Sequence, residues 1–276
     1  MRDKLSFRNL AILMGAAFVL LLLVTAFAGP LFSPRSPSEM DLCRGLSGPS
    51  IDHPLGQDKH GRDVLARLIY GARVSVMVGV GTVFLSAFVG YMLGAFAGIL
   101  GGFWDNAIMR LVDILLAFPG ILLAIALTAV SASPGVGVII LALSARGWVG
   151  YARVVRGQVL VEREQGYVEA ARALGARTWW IAIRHLFPNT MTPVVIQATF
   201  GMAGAILAEA SLSFLGLGPQ DVPTWGGMLS DGTSFLRTAP HMAIFPGIAI
   251  MATVLSFNFL GDALRDRLAG ERNLRA

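Results

Sequence analysis

Charge is scarce in this sequence, and several long stretches contain none. Only 14% of the 276 residues are charged, whereas 55% are hydrophobic, and the mean hydropathy is +0.66. Long uncharged runs cover residues 10–28, 74–104, 114–145 and 186–208. Uncharged apolar runs of about 18 or more residues are typical of transmembrane helices. These features exclude a soluble globular domain and indicate an integral membrane protein.

The residue types from which catalytic and metal sites are usually built are also rare. A single cysteine, Cys43, excludes an internal disulfide and a cysteine metal cluster. The two lysines, Lys4 and Lys59, do not occur in a G-x-x-x-x-G-K-[ST] motif, so this chain cannot form a P-loop. The four histidines form no H-E-x-x-H pair, and there is no G-x-S-x-G elbow, although spacing does not test a serine triad that assembles in space. We therefore expect no enzyme activity and no cofactor or metal in this chain.

The positive charge that is present orients the chain. A net charge of +5 would suggest nucleic acid as the partner of a soluble protein. Here the arginines lie beside apolar runs, so we expect a lipid bilayer and no nucleic acid. Between Arg146 and Arg184 there are seven arginines and three glutamates, which favours the cytoplasmic side for this region.

The first 73 residues divide into two parts. Residues 1–28 are a basic flank and an uncharged run, which predicts an inner amino terminus and a first span. The alternative is a cleaved signal peptide ending near Ala28, which we disfavour because the run is long and further spans follow. Residues 29–73 carry six basic and five acidic residues and predict an external loop. Its last part, from Val64, predicts an amphipathic helix at the membrane interface, with Asp63 and Arg67 one turn apart.

Residues 74–276 predict five further spans. The second span ends near Leu100, the third is bent at Pro119, and a Ser131–Gly135 turn separates the third from the fourth. The predicted bounds of the last four spans are 107–130, 136–155, 186–208 and 242–261. Six spans from an inner amino terminus place both termini and residues 162–193 on the cytoplasmic side.

Several residues inside these spans have two interpretations. Five glycines of the second span either allow close helix approach or only reflect membrane composition: Gly79, Gly81, Gly90, Gly94 and Gly98. Arg146, ten residues into the fourth span, either lines a translocation pathway or lies shallower and extends to the interface. Glu209, at the end of the fifth span, is a second candidate pathway residue.

Residues 162–193, here called the polar segment, are a polar, helix-prone stretch between long apolar runs. We predict a helix over residues 169–174, a left-handed stop at Gly175, and a second short helix capped by Thr178. Pro188 and Pro193 then interrupt the chain before the fifth span. The segment either docks a partner protein or rests on anionic lipid through its arginines.

The polar segment also resembles a known family. The stretch E-A-A-R-A-L-G at residues 169–175, followed after nine residues by H-L-F-P, resembles the EAA loop of permease subunits of bacterial ABC importers. The stretches at residues 53–68, 150–158, 208–218, 225–228 and 261–266 are similar to the dipeptide, oligopeptide and nickel branch, and to the second, C-type permease of its pairs. The general pattern has Ile-x-Leu-Pro where this chain has His185 and Phe187, an ending that the peptide-type branch tolerates.

The resemblance implies an all-α fold with six transmembrane helices of the type I importer kind, in the bacterial inner membrane. It implies that the polar segment is the coupling helix loop for one or two cytoplasmic ATPase subunits, which would bind ATP and magnesium. The implied coupling residues are Glu169, Ala170, Ala171, Gly175, His185 and Pro188. The other implied partners are a second homologous permease and a periplasmic or lipid-anchored binding protein.

The expected cargo is a di- or oligopeptide, and the alternatives are nickel chelates, glutathione or opines. Arg146 is the residue that we consider for contact with a substrate carboxylate. Two other classes stay in view. A secondary transporter or channel should carry carboxylates at the membrane midplane, whereas Asp113, Glu209 and Asp262 all lie near predicted span ends. A scaffold without transport would not need the broken spans or the intramembrane arginine.

Overall fold

The computed structural model describes residues 2–32, 35–131 and 134–273, and this part of the chain is helical. The ten α-helices of the described residues are α1 Arg2–Phe32, α2 Val64–Leu100, α3 Gly102–Ala117, α4 Gly120–Ala129, α5 Val136–Glu162, α6 Gly166–Ala173, α7 Thr178–Ile181, α8 Phe187–Phe214, α9 Trp225–Thr233 and α10 His241–Asn273. A 3₁₀ turn covers Leu42–Arg44, and a π-helical segment, Ala182–Leu186, joins α7 to α8.

Five helical segments are long and apolar enough to cross a membrane. They are the window Ile12–Gly29 of α1, then α2, α5, the continuous segment Thr178–Phe214 and α10. The helices α3 and α4 form a sixth span if the pair is counted as one, with an 85° bend between them. Six apolar spans thus agree with the prediction, and the predicted bend is a break at Pro119, where the ring removes a backbone donor. Of the predicted turn before α5, Ala132 and Ser133 lie outside the described residues.

The glycines of α2 allow close helix approach. The most extensive helix contact of the described residues is between α2 and α5. A Cβ on Gly90 would lie 2.4 Å from the carbonyl oxygen of Trp148, and one on Gly94 would lie 2.4 Å from that of Ala152. Backbone therefore meets backbone at these positions, as small residues permit in membrane helix pairs. The other three predicted glycines of α2 also face neighbouring helices.

The predicted interfacial helix is not a separate element. Its residues form the first turns of α2, which begins at Val64 because the Asp63 side chain accepts a hydrogen bond from the N–H of Ala66 at 2.7 Å. Arg67, predicted to lie away from the apolar face, is 9% exposed. Its nearest carboxylate is that of Asp58, at 3.7 Å, rather than that of Asp63.

The predicted interruption before the fifth span is also wrong. Thr178 is the first residue of α7 and not its cap, which is Arg177. Helical structure then continues from Thr178 to Phe214 through the π segment, and Pro188 and Pro193 lie inside this path. The wider π turn ends two residues before Pro188, where the chain must accommodate a residue without an N–H.

Three helices extend beyond their predicted ends. The helix α5 reaches Glu162, α8 reaches Phe214, and α10 reaches Asn273. Hydropathy marks only the hydrocarbon layer, which about 20 helical residues cross. A helix that continues into the aqueous layers carries charged residues there, so the first charge does not mark its end.

The loop between α1 and α2 folds against the start of α2. We call residues 35–63, together with α9 and the first turn of α10, the loop cap. The carboxylate of Asp58 accepts hydrogen bonds from the backbone N–H groups of His60 and Arg62 at 2.8 and 2.9 Å, and from Arg62 Nε at 2.6 Å. Lys59 pairs with Asp231 of α9 at 2.6 Å, and His241 of α10 contacts the carbonyl oxygen of Gln57 at 3.1 Å. The loop cap is therefore held by polar contacts within the chain.

Candidate functional site

The polar segment is attached to the spans by an apolar cluster. Val168, the buried residue of α6, is 0% exposed, and Ile181 of α7 is 3% exposed. They pack in one cluster with residues of α2, α5, the π-helical segment and α8: Tyr91, Tyr151, Val155, Val159, Leu186 and Val194. Burial of such side chains removes apolar area from water, which stabilises the contact. The short helices α6 and α7 are thus fixed to the ends of three spans.

Polar contacts connect the same elements. The hydroxyl of Tyr167 donates to the carboxylate of Glu162 and accepts a hydrogen bond from Asn189 Nδ2 at 3.0 Å. Desolvation, and after it the Glu162 carboxylate, raises the pKa of Tyr167 above its ordinary value, so the phenol remains a donor. Arg163 donates from Nη1 to the carbonyl oxygen of Gly98 at 3.2 Å. These bonds join α5, α6, α8 and the end of α2.

The turn between α6 and α7 has the predicted left-handed glycine. Gly175 has φ +81°, a value that costs little without a Cβ. Its N–H bonds the carbonyl of Arg172 at 2.9 Å, and the N–H of Ala176 bonds that of Ala171 at 3.0 Å. This pair of bonds is a Schellman motif, which satisfies the last carbonyls of α6.

The six predicted coupling residues occupy different environments. Glu169 and Ala170 are exposed on α6, whereas Ala171 is half-buried against the apolar cluster. His185 is half-buried and lies with its ring centroid 5.6 Å from that of Tyr167 and 5.1 Å from that of Trp180. Pro188 is exposed in the first turn of α8. The outward residues of this set are thus Glu169, Ala170, Gly175 and Pro188.

Large apolar side chains are exposed around these residues. Leu174 is 89% exposed, Trp179 is 58% exposed and Ile183 is 65% exposed. An open cleft of about 690 Å³ lies between α7 and the end of α2, with Phe96, Leu100 and Trp179 in its walls. Exposed large apolar side chains of this kind are typical of a surface that contacts a partner protein or the membrane. Sequence reasoning missed Val168 and Ile181; the available signal for Val168 was its spacing of three residues from Ala171.

A second candidate site is a cavity of about 490 Å³ between the spans, here called the central cavity. Arg146 lies in its wall and is half-buried. Its Nε donates to the carbonyl oxygen of Leu115 at 3.3 Å. In an unbroken helix, this oxygen would accept a hydrogen bond from the backbone N–H of residue 119. Pro119 supplies no N–H, so Arg146 satisfies a carbonyl that the break between α3 and α4 leaves free.

Glu209 is placed differently from Arg146. Its side chain is 0% exposed and accepts hydrogen bonds from Ser213 Oγ at 2.7 Å and from Ser75 Oγ at 3.4 Å. It joins α8 to α2 and is absent from the wall of the central cavity. A pathway role for Glu209 therefore stays a prediction. Its buried position away from the cavity wall does not support that role.

The wall of the central cavity also contains polar residues that sequence reasoning missed: Thr82, Ser86, Tyr151 and Gln197. The available signals were the spacing of Thr82 and Ser86, four residues apart on α2, and a glutamine inside an uncharged span. Within the described ranges, no group of three or more His, Cys, Asp and Glu side chains is arranged to hold a metal ion.

Known proteins resemble this chain over most of its length. The family model described as "Binding-protein-dependent transport system inner membrane component" matches residues 90–271. The glutathione transport system permease protein GsiD of Pectobacterium atrosepticum is 43% identical over 253 residues, which cover 91% of this chain and 84% of that protein. GsiD of Escherichia coli O6:K15:H31 is 44% identical over 255 residues, 92% of this chain and 84% of that protein.

A solved structure has a similar fold. The structure described as inward facing conformations of the MetNI methionine ABC transporter matches with a TM-score of 0.59 and 21% sequence identity. The match covers 72% of this chain and 95% of that chain. At this identity the likeness concerns the fold, which is that of a type I importer permease.

Proposed function

The chain belongs to the family of binding-protein-dependent transport system inner membrane components, in the dipeptide, oligopeptide and nickel branch, and we propose that it forms half of the translocation pathway. It is a membrane permease subunit of an ABC importer, a family of membrane subunits rather than enzymes. The observation that carries the coupling part of the proposal is the polar segment. It is firmly attached to three spans on one side, and it exposes large apolar side chains on the other.

The polar segment is proposed to transmit movement between an ATPase subunit and the spans. A helix that conveys displacement must be fixed to the element that it moves, and Val168 and Ile181 supply that attachment. The exposed surface of α6 and α7 would bind a groove of the ATPase, with Glu169 as a charged contact and Leu174 and Trp179 as apolar ones. Closure of two ATPase subunits on ATP would then rock α5 and α8 between inward-open and outward-open states.

The remaining partners follow from the family and from topology. ATP and magnesium would be bound by one or two ATPase subunits on the cytoplasmic side, where we place both termini of this chain. A second, homologous permease would complete the pathway, and a periplasmic or lipid-anchored binding protein would dock on the opposite side. The exposed parts of the loop after α1 and the segment 213–240 are the candidate docking surfaces on that side.

The proposed cargo is a short peptide, with glutathione as the first to test. Glutathione is a modified tripeptide, and the relatives that cover most of this chain are named as glutathione transport permeases. Uptake should be measured in vesicles that contain the complete complex and its binding protein, with and without ATP. Uptake without ATP that follows an ion gradient would contradict the proposal and favour a secondary transporter.

The charge reversal Glu169→Lys tests the coupling role. We expect ATP-driven uptake to fall roughly ten- to hundredfold, since a charge-assisted contact contributes about 1.5–3 kcal/mol. ATP hydrolysis and the amount of protein in the membrane should remain. Glu164→Lys, an exposed reversal outside α6, is the matched control and should transport normally. Normal assembly and transport by Glu169→Lys would show that the contact role is wrong.

A further inference from the structure

Three buried hydroxyl groups in the wall of the central cavity have no hydrogen-bond partner among the described residues. They are Thr82 Oγ1, Ser86 Oγ and the phenolic oxygen of Tyr151. The three residues are 7%, 2% and 4% exposed, and all of them line the same cavity. A buried polar group without a partner costs about 1–3 kcal/mol, and such groups are few in native proteins. Their concentration at one cavity points to water or a bound polar group as their partner.

Arg146 lines the same cavity and pairs with no carboxylate of the described residues. A guanidinium carries five N–H donors, and the single acceptor found for Arg146 among the described residues is the carbonyl of Leu115. No ion pair between described residues includes Arg146. A charge at membrane depth is costly unless it is paired or hydrated. The cavity is therefore suited to an anionic group.

Glycines make the room that these polar groups occupy. A Cβ on Gly147 would lie 2.3 Å from Ser86 Oγ, and one on Gly201 would lie 2.6 Å from the Tyr151 hydroxyl. A Cβ on Gly120 would lie 2.8 Å from Arg146 Nη1, and one on Gly150 would lie 2.6 Å from Gln197 Nε2. Any larger residue would displace a polar group, so the wall is shaped around a set of donors.

We propose that Arg146, with the Tyr151, Ser86 and Thr82 hydroxyls and the Gln197 amide, forms a subsite for the carboxylate of the transported substrate. The subsite rests on the proposed function, because it needs the cavity to be part of the pathway. The guanidinium binds a carboxylate oxygen pair through its planar fork, which suits a carboxylate better than a point charge would. The hydroxyls and the amide supply further donors to the same group.

A structural role of Arg146 makes a different prediction. The arginine satisfies the carbonyl that Pro119 leaves free, and loss of that contact would weaken the break between α3 and α4. Such a change would reduce the binding of every substrate by the same factor. A carboxylate subsite loses affinity only for substrates that carry the carboxylate, so paired probes separate the two roles.

The test uses the complete complex in phosphatidylcholine nanodiscs without the binding protein. Binding of tri-alanine is compared with that of its C-terminal amide, which lacks the carboxylate, for the wild type and Arg146→Gln. We expect amidation to weaken wild-type binding about ten- to hundredfold, since hydrogen bonds to charged groups are the strong ones. Arg146→Gln should bind both probes as weakly as the wild type binds the amide. The matched control, Arg110→Gln, removes an exposed arginine of α3 and should behave as wild type.

Three other outcomes overturn the subsite. It fails if the wild type does not distinguish the probes, or if Arg146→Gln retains the full penalty of amidation. It also fails if discrimination disappears when phosphatidylglycerol is added to the discs, because the guanidinium would then pair with lipid phosphate. If Arg146→Gln does not assemble, Tyr151→Phe removes a single hydroxyl and should lower the amidation penalty about tenfold or less.

Failure of the proposed function is visible separately. ATP-dependent uptake of glutathione and of tri-alanine is measured in parallel, with the wild type and its binding protein. Absence of uptake by the wild type would contradict the function itself. Uptake by the wild type, combined with equal probe discrimination by wild type and Arg146→Gln, would contradict the subsite alone.

Discussion

The two ends of α2 are built in different ways. At its start, the loop cap holds buried charges that are paired within the chain. The Asp58 side chain, for example, is 7% exposed and pairs with Arg62 and Arg67. At its end, the polar segment is attached through apolar residues and leaves Leu174 89% exposed. A helix of 37 residues separates them, which corresponds to about 55 Å.

The difference indicates which end is complete without a partner. In the loop cap, the groups that would be most costly to leave unpaired meet their partners inside the chain. In the polar segment, the interactions that hold it in place are also made inside the chain, but its outer face is apolar and uncovered. Such a face gains stability when a partner protein or the membrane covers it. The following predictions test this contrast.

The largest effect is expected in the loop cap, from Asp58→Asn. The change keeps the shape of the side chain but removes the negative charge, which leaves Arg62 and Arg67 without their shared partner. We expect the free energy of unfolding to fall by about 3–5 kcal/mol, the usual cost of breaking a buried ion pair. Denaturant unfolding in detergent micelles measures it.

Lys59→Gln is the control for Asp58→Asn. The Lys59 and Asp231 side chains are 35% and 31% exposed, and pairs of this kind contribute about 0–1 kcal/mol. If Lys59→Gln destabilised the protein as much as Asp58→Asn, burial of the Asp58 pairs would not be what holds the loop cap together.

An intermediate and local effect is expected from Val168→Ala. The side chain is 0% exposed between α6 and the spans. Removal of its methyl groups should cost about 1.5–2.5 kcal/mol, since each buried methylene contributes about 0.8 kcal/mol and a cavity adds to the loss. The α6 amides should exchange with solvent faster, while those of α2 should not change.

Val161→Ala is the matched control, because the same substitution then affects a side chain that is 57% exposed. Equal exchange of α6 amides in Val168→Ala and in the wild type would show that Val168 does not attach the segment to the spans.

The smallest effect on the isolated chain is expected from Leu174→Ser. The side chain is 89% exposed, so the free energy of unfolding should change by about 0.5 kcal/mol or less. Binding of the ATPase subunit to nanodisc-embedded permease should weaken about tenfold, because truncation of an interface anchor typically costs more than about 1 kcal/mol.

Leu42→Ser makes the same change in the loop cap, where Leu42 is 75% exposed. The affinity of the Leu42→Ser permease for the ATPase subunit should equal that of the wild type. Equal loss of affinity in the two variants would remove the distinction between the ends of α2.

Much of the fold could be predicted from the sequence. The absence of charge marks the hydrocarbon layer, so the number of apolar spans and their order were predicted correctly. Two local features were also predicted, because each depends on one residue's own backbone: the break at Pro119 and the left-handed turn at Gly175. Errors occurred where helices continue past the apolar layer, as at Glu162 and Phe214.

The candidate sites were predictable only in part. The distribution of charge along the sequence identified the polar segment and Arg146. It did not identify the residues that attach the segment to the spans or the other polar residues of the central cavity. Val168 differs from an exposed valine only through its neighbours on other helices. Asp63 lies one turn from Arg67 in the sequence, whereas Arg67 lies 3.7 Å from Asp58 because the loop folds back on α2. Partner choice of this kind depends on the path of the chain between the residues.

The sequence by itself determined what this protein can be: a membrane protein with six apolar spans, one broken at Pro119, and a polar segment turned by Gly175. Periodicity, charge and backbone preference act over a few residues and can be read directly. The tertiary structure alone decided that Arg146 meets the free carbonyl of Leu115 and that hydroxyls from α2 and α5 line the same cavity. These contacts join residues far apart in the chain, and glycines let the helices pack closely around them.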